Sequence, residues 1–366
     1  MVFRRFLPAV VCCFLLLSAR AQQDTLCVRG GDTLRYRYTP LPATAPAAET
    51  QQQPKRKDNF WSRIFHGNVD RTFEKKIDFS FIGAPNYSKE ASVGIGVLAS
   101  GLYRVDRTDS LTPPSDVSFF GNFSLSGFYM FGVSGNTLFN HNRSRVIYEV
   151  SFGSKPLEFW GIGYEAGRFN QSADYIRKQV KFDAGYLYEV WRHLYVGGSV
   201  LFSHTKGTDF DDWGIDYLAG QKLHYTLSGI GMTLQYDSRD FIPAPERGTF
   251  LMVKQVIYPK GLGNSGKTLY KTTATADYYQ RLWRGAVLAT DIFGEFNSSG
   301  MPWCMLAELG GGYRMRGYYL GRYIDNNILS CQIEYRQRIW RRIGCAVWGG
   351  AGNVFSSFER FRWDQT

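Results

Sequence analysis

Three observations in the sequence predict an all-β protein, a transmembrane antiparallel β-barrel. The 366 residues include 27 Phe, 23 Tyr, 9 Trp and 39 Gly, yet the mean hydropathy is slightly negative at -0.27. No apolar run approaches the roughly 18 to 20 residues that a spanning helix requires, which excludes a multi-helix membrane protein. From about residue 74 onward, apolar and polar residues alternate with a period of two, the pattern of strands with one apolar face.

The first 21 residues form a predicted signal peptide. They begin with a basic pair, Arg4 and Arg5, continue through a short apolar core and end in an A-x-A cleavage site at Ala19 and Ala21. Removal of the peptide takes away three arginines and no acids, so the net charge falls from +11 to +8. In an exported protein this balance favours anionic lipid or glycan surfaces, and we expect outer-membrane lipid or lipopolysaccharide, not nucleic acid, as a partner.

The rest of the chain divides into a linker and one domain. Residues 22–73 are predicted to be a polar periplasmic linker rich in Pro, Ala and Gln, because the stretch 40–58 offers almost nothing to bury. From residue 74 to 366 the alternation of apolar and polar residues is uniform, and we assign this part to a single outer-membrane β-barrel.

Segment 180–190 illustrates the alternation on which the barrel prediction depends. One face carries apolar side chains: Val180, Phe182, Ala184, Tyr186, Tyr188 and Val190. The other face carries Lys181, Asp183, Gly185 and Glu189. A strand of a soluble sandwich alternates too, but here a dozen or more such segments follow one another, with charged polar faces and aromatic ends. That combination is typical of a lipid-facing barrel with a wet lumen.

About 13 or 14 strands are predicted. The candidates lie near 77–83, 93–104, 116–126, 127–138, 144–153, 157–168, 178–190, 194–206, 222–237, 248–258, 269–282, 285–297, 326–340 and 343–355. Tight connections occur at 283–285 and 340–342, whereas 207–221 and 298–325 are long loops. In bacterial outer-membrane barrels the short turns face the periplasm and the long loops face outside, which predicts the orientation of the chain.

No nucleotide site, metal site or catalytic set is predicted. Residues Gly261–Thr268 match the pattern G-x-x-x-x-G-K-[ST], but that phosphate-binding loop requires a helix after it. Residues 269–282 alternate as a strand instead, so we expect no nucleotide. The five His are scattered, and the cysteines beyond the signal peptide lack the spacing of a zinc site or disulfide framework. We expect no cofactor and no enzymatic activity.

Two blocks of sequence are more specific. In the first, Asp237, Arg239 and Asp240 are followed by two prolines and then by Gly248. The second block is a run within a glycine-rich loop: Met315, Arg316, Gly317 and Tyr318.

Both blocks resemble signatures of the BamA/TamA superfamily of outer-membrane assembly and translocation barrels, also called the bacterial surface antigen family. The first is similar to the family's D-x-R-D…P…G periplasmic turn, and the second to its [VLM]-R-G-[FY] signature. The resemblance is strongest over residues 230–355. It implies a barrel of 16 strands in the outer membrane of a Gram-negative bacterium, with a signature loop that folds back into the lumen.

The signature loop is predicted to bind the barrel wall through Arg316. Gly317 permits a tight turn, and the Arg316 guanidinium can then pair with a carboxylate. Glu334 is the predicted acceptor, on the lumen face of the next strand. The family's second acceptor, an Asp in an F-x-D-x-G strand, is replaced here by Gly350, so we expect the loop to depend mainly on Glu334.

Two departures from the family affect the functional prediction. Residues 22–70 are too short and polar to form a periplasmic substrate-capturing domain. After the run 352–354, which matches the family, only 12 residues remain, where the family has further closing strands. Because an unclosed barrel leaves backbone groups unpaired in lipid, we expect the sequence to be truncated or to close with another chain.

The best prediction of function is insertion or translocation of proteins, or of lipids, at the outer membrane, with unfolded outer-membrane proteins as clients. Two alternatives remain open at this point. One is a passive porin-like pore whose lumen charges select solutes. The other is a surface-exposed structural or adhesive barrel.

Overall fold

A computed structural model describes Thr72 and residues 76–88, 92–109, 112–139, 141–242, 244–311, 314–340 and 343–366. The predicted signal peptide, with Ala19 and Ala21, and the predicted linker lie outside the described residues, apart from Thr72. Most of the described chain forms one antiparallel sheet of 13 strands, and a second sheet has two short strands.

The large sheet follows the order of the chain. Its strands are β1 (Ile77–Ser88), β2 (Ser92–Tyr103), β3 (Ser115–Ser124), β4 (Tyr129–Phe139), β5 (Ser144–Phe159), β6 (Ala173–Trp191), β7 (Leu194–Thr208), β8 (His224–Asp237), β9 (Gly248–Tyr258), β10 (Leu269–Trp283), β11 (Ala286–Asn297), β14 (Asn327–Trp340) and β15 (Ile343–Phe355). The small sheet pairs β12 (Ala307–Leu309) with β13 (Tyr323–Asp325) inside the connection from β11 to β14. Strands β1 and β15 are the two edges of the large sheet, which does not close.

One predicted strand is wrong. The sequence suggested separate strands at 144–153 and 157–168, but β5 continues unbroken to Phe159, and residues Tyr164–Phe169 form a helix, α1. The change of direction occurs at Gly161 and Gly163, whose φ angles of 97° and 103° are open to glycine at little cost. The period-two pattern misses this break because large apolar residues happen to continue through it. The other predicted strands are present with shifted ends.

The two faces of the strands separate apolar from charged side chains. On β6, Val180 and Phe182 are exposed on the outer face, whereas Asp183 lies on the opposite face. There Lys254 Nζ of β9 reaches Asp183 Oδ2 at 2.5 Å, an ion pair across the inner face of the sheet. This arrangement confirms the predicted alternation of lipid-facing and lumen-facing residues.

Three long connections at one end of the sheet pack into a small aromatic core. They are residues 160–172, residues 209–223 with helix α2 (Asp212–Tyr217), and residues 298–326 with a 3₁₀ turn at Trp303–Met305. Trp303, 1% exposed, packs edge-on against three rings, and its indole N–H donates to the Lys222 carbonyl at 3.0 Å. Burial raises the pKa of the Cys304 thiol in this core to about 12, so Cys304 stays protonated. The two helices within these loops were not predicted from the sequence.

The phosphate-loop pattern forms a bridge between strands. Gly263 makes an isolated antiparallel bridge with Leu227, and Asn264 Oδ1 accepts the Thr226 N–H at 2.9 Å. Strand β10 begins at Leu269, as the alternation predicted. None of the helices that the structure describes combines the length and apolar character needed to cross a membrane.

We expect Trp303→Ala to loosen the three long connections together. The substitution removes a buried ring at the centre of the aromatic core, a class of change that typically costs about 3–5 kcal/mol. Hydrogen exchange across residues 209–223 should accelerate, while exchange in the β6–β7 ladder is retained. The matched control is Trp363→Ala, because Trp363 is 79% exposed. Unchanged exchange in 209–223 with Trp303→Ala would contradict this assignment of the core.

Candidate functional site

The signature residues lie at the tip of the connection between β11 and β14. The chain turns back at residues 310–318, where Gly310, Gly311 and Gly317 have φ between 103° and 114°. Tyr318 N–H donates to the Met315 carbonyl at 3.1 Å, which closes the turn around Arg316. We call the described residues of this turn, 310–311 and 314–318, the signature loop.

The structure brings Arg316 and Glu334 together. Arg316 Nη2 donates to Glu334 Oε2, and the guanidinium lies 4.6 Å from the centroid of the Trp348 ring. Arg336 Nε donates to the other carboxylate oxygen of Glu334 at 2.6 Å. A largely buried carboxylate of β14 is therefore shared by one arginine of the loop and one arginine of the wall.

A second ion pair, which the sequence did not predict, holds the loop. Arg314 donates from Nε and Nη2 to both carboxylate oxygens of Asp291 on β11, at 2.9 and 2.8 Å. Its guanidinium also lies 4.0 Å from the Phe293 ring centroid. The signal was present, because Asp291 sits on the polar face of its strand and Arg314 precedes Arg316 by two residues. The sequence alone does not show that the loop lies close to β11.

Gly350 has a packing role. Met315 is buried among apolar residues of the loop and of the wall: Ala307, Leu309, Ile328 and Val354. A Cβ atom at Gly350 would lie 2.9 Å from the Cys331 carbonyl oxygen and 3.3 Å from the Met315 sulfur. An Asp at this position would thus crowd Met315. In this chain Asp291, on a different strand, provides the second carboxylate.

Tyr318 is half exposed and lies edge-on to Tyr323, with 6.1 Å between ring centroids.

A third ion pair connects the base of the same connection to β6. Arg177 Nη2 lies 2.6 Å from Glu308 Oε1 and also donates to the Tyr175 hydroxyl at 2.6 Å. Burial alone would raise the pKa of Glu308, but the charge and hydrogen bond of Arg177 outweigh it and hold this pKa below its usual range. Glu308 therefore remains ionised, and the pair persists, until the pH falls below the normal range of a glutamate. Loop contacts thus reach β6, β11, β14 and β15.

The turn that follows β8 is built around Asp237 at the opposite end of the sheet. Asp237 Oδ2 accepts hydrogen bonds from Arg145 Nη1 at 2.6 Å and from Arg239 Nη2 at 3.0 Å, and Oδ1 accepts Arg239 Nε at 2.8 Å. Arg145 also donates to Tyr195 Oη and to Asn142 Oδ1, both at 2.9 Å. Because Asn142 lies between β4 and β5 and Tyr195 is on β7, this network, the Asp237 cluster, joins three neighbouring turns.

Asp240 and Gly248 shape the same turn. Asp240 Oδ1 accepts backbone N–H groups of Phe241 and Glu246, at 2.9 and 3.0 Å. Gly248 has a φ of 111°, and a Cβ there would lie 2.4 Å from the Ser238 carbonyl oxygen. A larger residue would not fit. The first of the two prolines, Pro243, lies outside the described residues.

Asp237→Asn should destabilise the barrel strongly. The side chains of Arg145 and Asp237 are only 5% and 1% exposed, and removing one charge of a buried pair typically costs about 3–5 kcal/mol. The free energy of unfolding in urea would measure this loss. Glu246→Gln is the matched control, since the pair that this turn residue forms with Arg281 on β10 is more exposed and should be worth less than about 1 kcal/mol. Equal losses from the two substitutions would contradict the assignment.

Similarity to one solved structure supports the barrel fold. CdiB from Escherichia coli matches with a TM-score of 0.52 and 13% identity, over 75% of this chain and 52% of that one. BamA from Haemophilus ducreyi lacking POTRA domains 1–3 gives a TM-score of 0.49 and 13% identity, over 77% and 58%. CdiB from Acinetobacter baumannii gives 0.48 and 11%, over 78% and 51%. The chain therefore spans between 51% and 58% of these three chains.

No curated protein matches this chain in sequence. A family model described as the Omp85 superfamily domain does match it, over residues 83–366. That range includes the signature loop, its wall partners and the Asp237 cluster. The resemblance to this group of barrels noted in the sequence is thereby confirmed, and the chain belongs to the Omp85 superfamily of Gram-negative outer-membrane β-barrel proteins.

Proposed function

We propose that the protein inserts or translocates polypeptides at the outer membrane, with a lumen that the signature loop obstructs. The observation that carries the proposal is the fixation of this loop and its base to the inner wall through three ion pairs. They join Arg314 to Asp291, Arg316 to Glu334, and Glu308 to Arg177. Membership of the Omp85 superfamily, whose members insert or translocate proteins, supports the same conclusion.

The position of the loop argues against a passive pore. Its contacts reach strands on different sides of the inner face, β6 as well as β11, β14 and β15, so the connection crosses the lumen. The two arginine side chains of the loop tip remain about one-third exposed. Such a loop blocks steady flow, and the ion pairs at its tip are the part of the connection that water reaches.

The edges of the sheet offer a route for client strands. Among the residues that the structure describes, strands β1 and β15 each have one neighbour in the large sheet. An edge strand is a template for an added strand, because main-chain hydrogen bonds bind an extended peptide whatever its sequence. Unfolded outer-membrane proteins have the extended apolar strands that this mode of recognition requires. We propose them as clients.

Planar bilayer recordings test the obstructed lumen. We expect small, flickering openings from the full chain, and a larger and steadier conductance from Asp291→Asn combined with Glu334→Gln. Both substitutions remove a carboxylate charge with little change of shape. Asp183→Asn is the control, because its partner Lys254 does not belong to the loop. A large steady conductance from the unsubstituted chain would favour the porin-like alternative and end the proposal.

A folding assay tests the activity itself. The protein, reconstituted in vesicles, should increase the rate at which an unfolded outer-membrane barrel protein acquires protease resistance. Vesicles that contain the heat-unfolded protein provide the baseline. We expect the Asp183→Asn variant to retain the acceleration. Equal client folding rates with the folded and the heat-unfolded protein would refute insertion as the function.

A further inference from the structure

Three hairpins at the short-turn end share a sequence and a backbone feature. In each, a tryptophan ends the first strand and an arginine follows it: Trp191-Arg192, Trp283-Arg284 and Trp340-Arg341. Each pair of strands also shifts register immediately before the tryptophan. The hairpins are β6–β7, β10–β11 and β14–β15; in the large sheet the first two are four strands apart and the last two are two strands apart. We call them the Trp–Arg turns.

The register shift determines which way the tryptophan faces. Strict alternation would place Trp191 on the same face as Glu189, toward the lumen. Val190 has no partner in the hairpin register, and Trp191 instead pairs with Leu194, whose partner on β8 is the outward-facing Tyr236. A bulge of this kind re-aims side chains. It presents two consecutive apolar residues to the lipid side at each Trp–Arg turn: Val190-Trp191, Leu282-Trp283 and Ile339-Trp340.

These tryptophans remain exposed in the folded chain. Trp191, Trp283 and Trp340 are 76%, 57% and 56% exposed, so the protein itself does not cover them. Trp283 Nε1 donates to Gln337 Oε1 at 3.1 Å, and its ring lies beside outward-facing Tyr335. Large exposed rings at one level of a barrel are typical of the membrane–water interface.

Two of the adjacent arginines, Arg192 and Arg284, are free to bind a ligand. Within the described residues, neither the Arg192 nor the Arg284 guanidinium has a hydrogen bond or ion pair, and both side chains are exposed. A related arrangement occurs at the turn after β4, where the Arg143 guanidinium lies 5.9 Å from the centroid of the Tyr188 ring. Exposed arginines thus adjoin interfacial aromatic rings at several turns of this end.

The charge of the whole end agrees with this pattern. The connections at this end, 104–114, 140–143, 192–193, 238–247, 284–285 and 341–342, contain nine arginines, no lysine and four acidic residues. The connections at the other end, 89–91, 125–128, 160–172, 209–223, 259–268 and 298–326, contain eight basic and eight acidic residues. The excess of positive charge is therefore confined to the short-turn end, and arginine alone supplies it.

We propose that the Trp–Arg turns at Trp191-Arg192 and Trp283-Arg284 bind phospholipid headgroups of the periplasmic leaflet, with each of these arginines on a lipid phosphate and each tryptophan at the level of the ester groups. Arginine presents a planar fork of donors that matches two phosphate oxygens, which a lysine does not. Short turns face the periplasm in bacterial outer-membrane barrels, which puts these residues at the phospholipid surface.

The spacing of the turns indicates separate lipid sites. Trp191-Arg192 and Trp283-Arg284 are four strands apart in the large sheet, which at about 4.8 Å per strand puts them about 19 Å apart along the rim. One headgroup cannot bridge that distance, so these two turns hold separate lipids. Together the sites fix the depth and tilt of the barrel at its periplasmic rim. This inference concerns the rim and stands whether or not the protein acts on polypeptides.

The test compares two bilayers that differ in phosphate. The full chain and the Arg192→Gln/Arg284→Gln variant are titrated with urea in vesicles of phosphatidylethanolamine and phosphatidylglycerol, and in vesicles of an uncharged galactolipid with the same acyl chains. A basic residue at an anionic lipid surface favours the bound state about fivefold, so two substitutions should lower the folding equilibrium constant about 30-fold in phospholipid. In galactolipid the two proteins should be equal.

Two further variants make the result specific. Lys260→Gln/Lys267→Gln removes the same charge from exposed connections at the other end, and should have little effect in either bilayer. Arg192→Lys/Arg284→Lys keeps the charge but lacks the planar set of guanidinium donors. Its folding equilibrium constant in phospholipid should lie between those of the full chain and the Gln variant. Equal losses in both bilayers would overturn the proposal in favour of a structural role for the arginines. No loss in phospholipid would also overturn it, and would point to an acidic periplasmic protein as the partner of this end.

Discussion

The structure depends on one constraint, the need of every backbone N–H and C=O group in the membrane to find a partner in the chain. Hydrocarbon provides no hydrogen bonds, so only helices and sheets of paired strands are compatible with it. Thirteen antiparallel strands satisfy the requirement between β1 and β15, and the period-two alternation then separates lipid-facing from lumen-facing residues. Most charged side chains of the strands thereby lie on the inner face, where water and other charged groups can pair with them. The functional contacts of this protein all follow from that confinement.

The two ends of the sheet differ in how firmly their charges are held. At the short-turn end, Asp237 and Arg145 are almost completely buried, and breaking such a pair costs several kcal/mol. At the other end, Arg314 and Arg316 bind their carboxylates with about one-third of each arginine side chain still exposed, so water reaches these two pairs more readily than the Asp237 cluster. The proposed opening for a client would begin at these pairs and leave the Asp237 cluster intact.

Much of the architecture was predictable from the sequence because period-two alternation is a local property. It located the strands, the tight turn at 283–285 and the long loops, and the Arg-Gly pair indicated Glu334 as a partner on the next strand. It failed at residues 157–168, where apolar residues continue through two glycine turns and into helix α1. It also failed to find Asp291, because a contact between a loop and a strand that are not consecutive leaves no periodic signal. The alternation also did not show the bulges at the Trp–Arg turns. One unpaired residue there turns the following tryptophan toward lipid, whereas strict alternation assigns that tryptophan to the lumen.

By itself, the sequence determined the class of the protein, the order of its strands and the identity of the superfamily motifs. Each of these depends on residues that are close together along the chain. The tertiary structure decided which charges meet. It placed Asp291 beside Arg314 and packed Met315 against Gly350, where a side chain would not fit. It also turned the tryptophans of three hairpins toward lipid. The physical reason is that pairing, packing and exposure depend on distances between strands, and these distances are fixed when the sheet twists and the long loops fold onto its inner face.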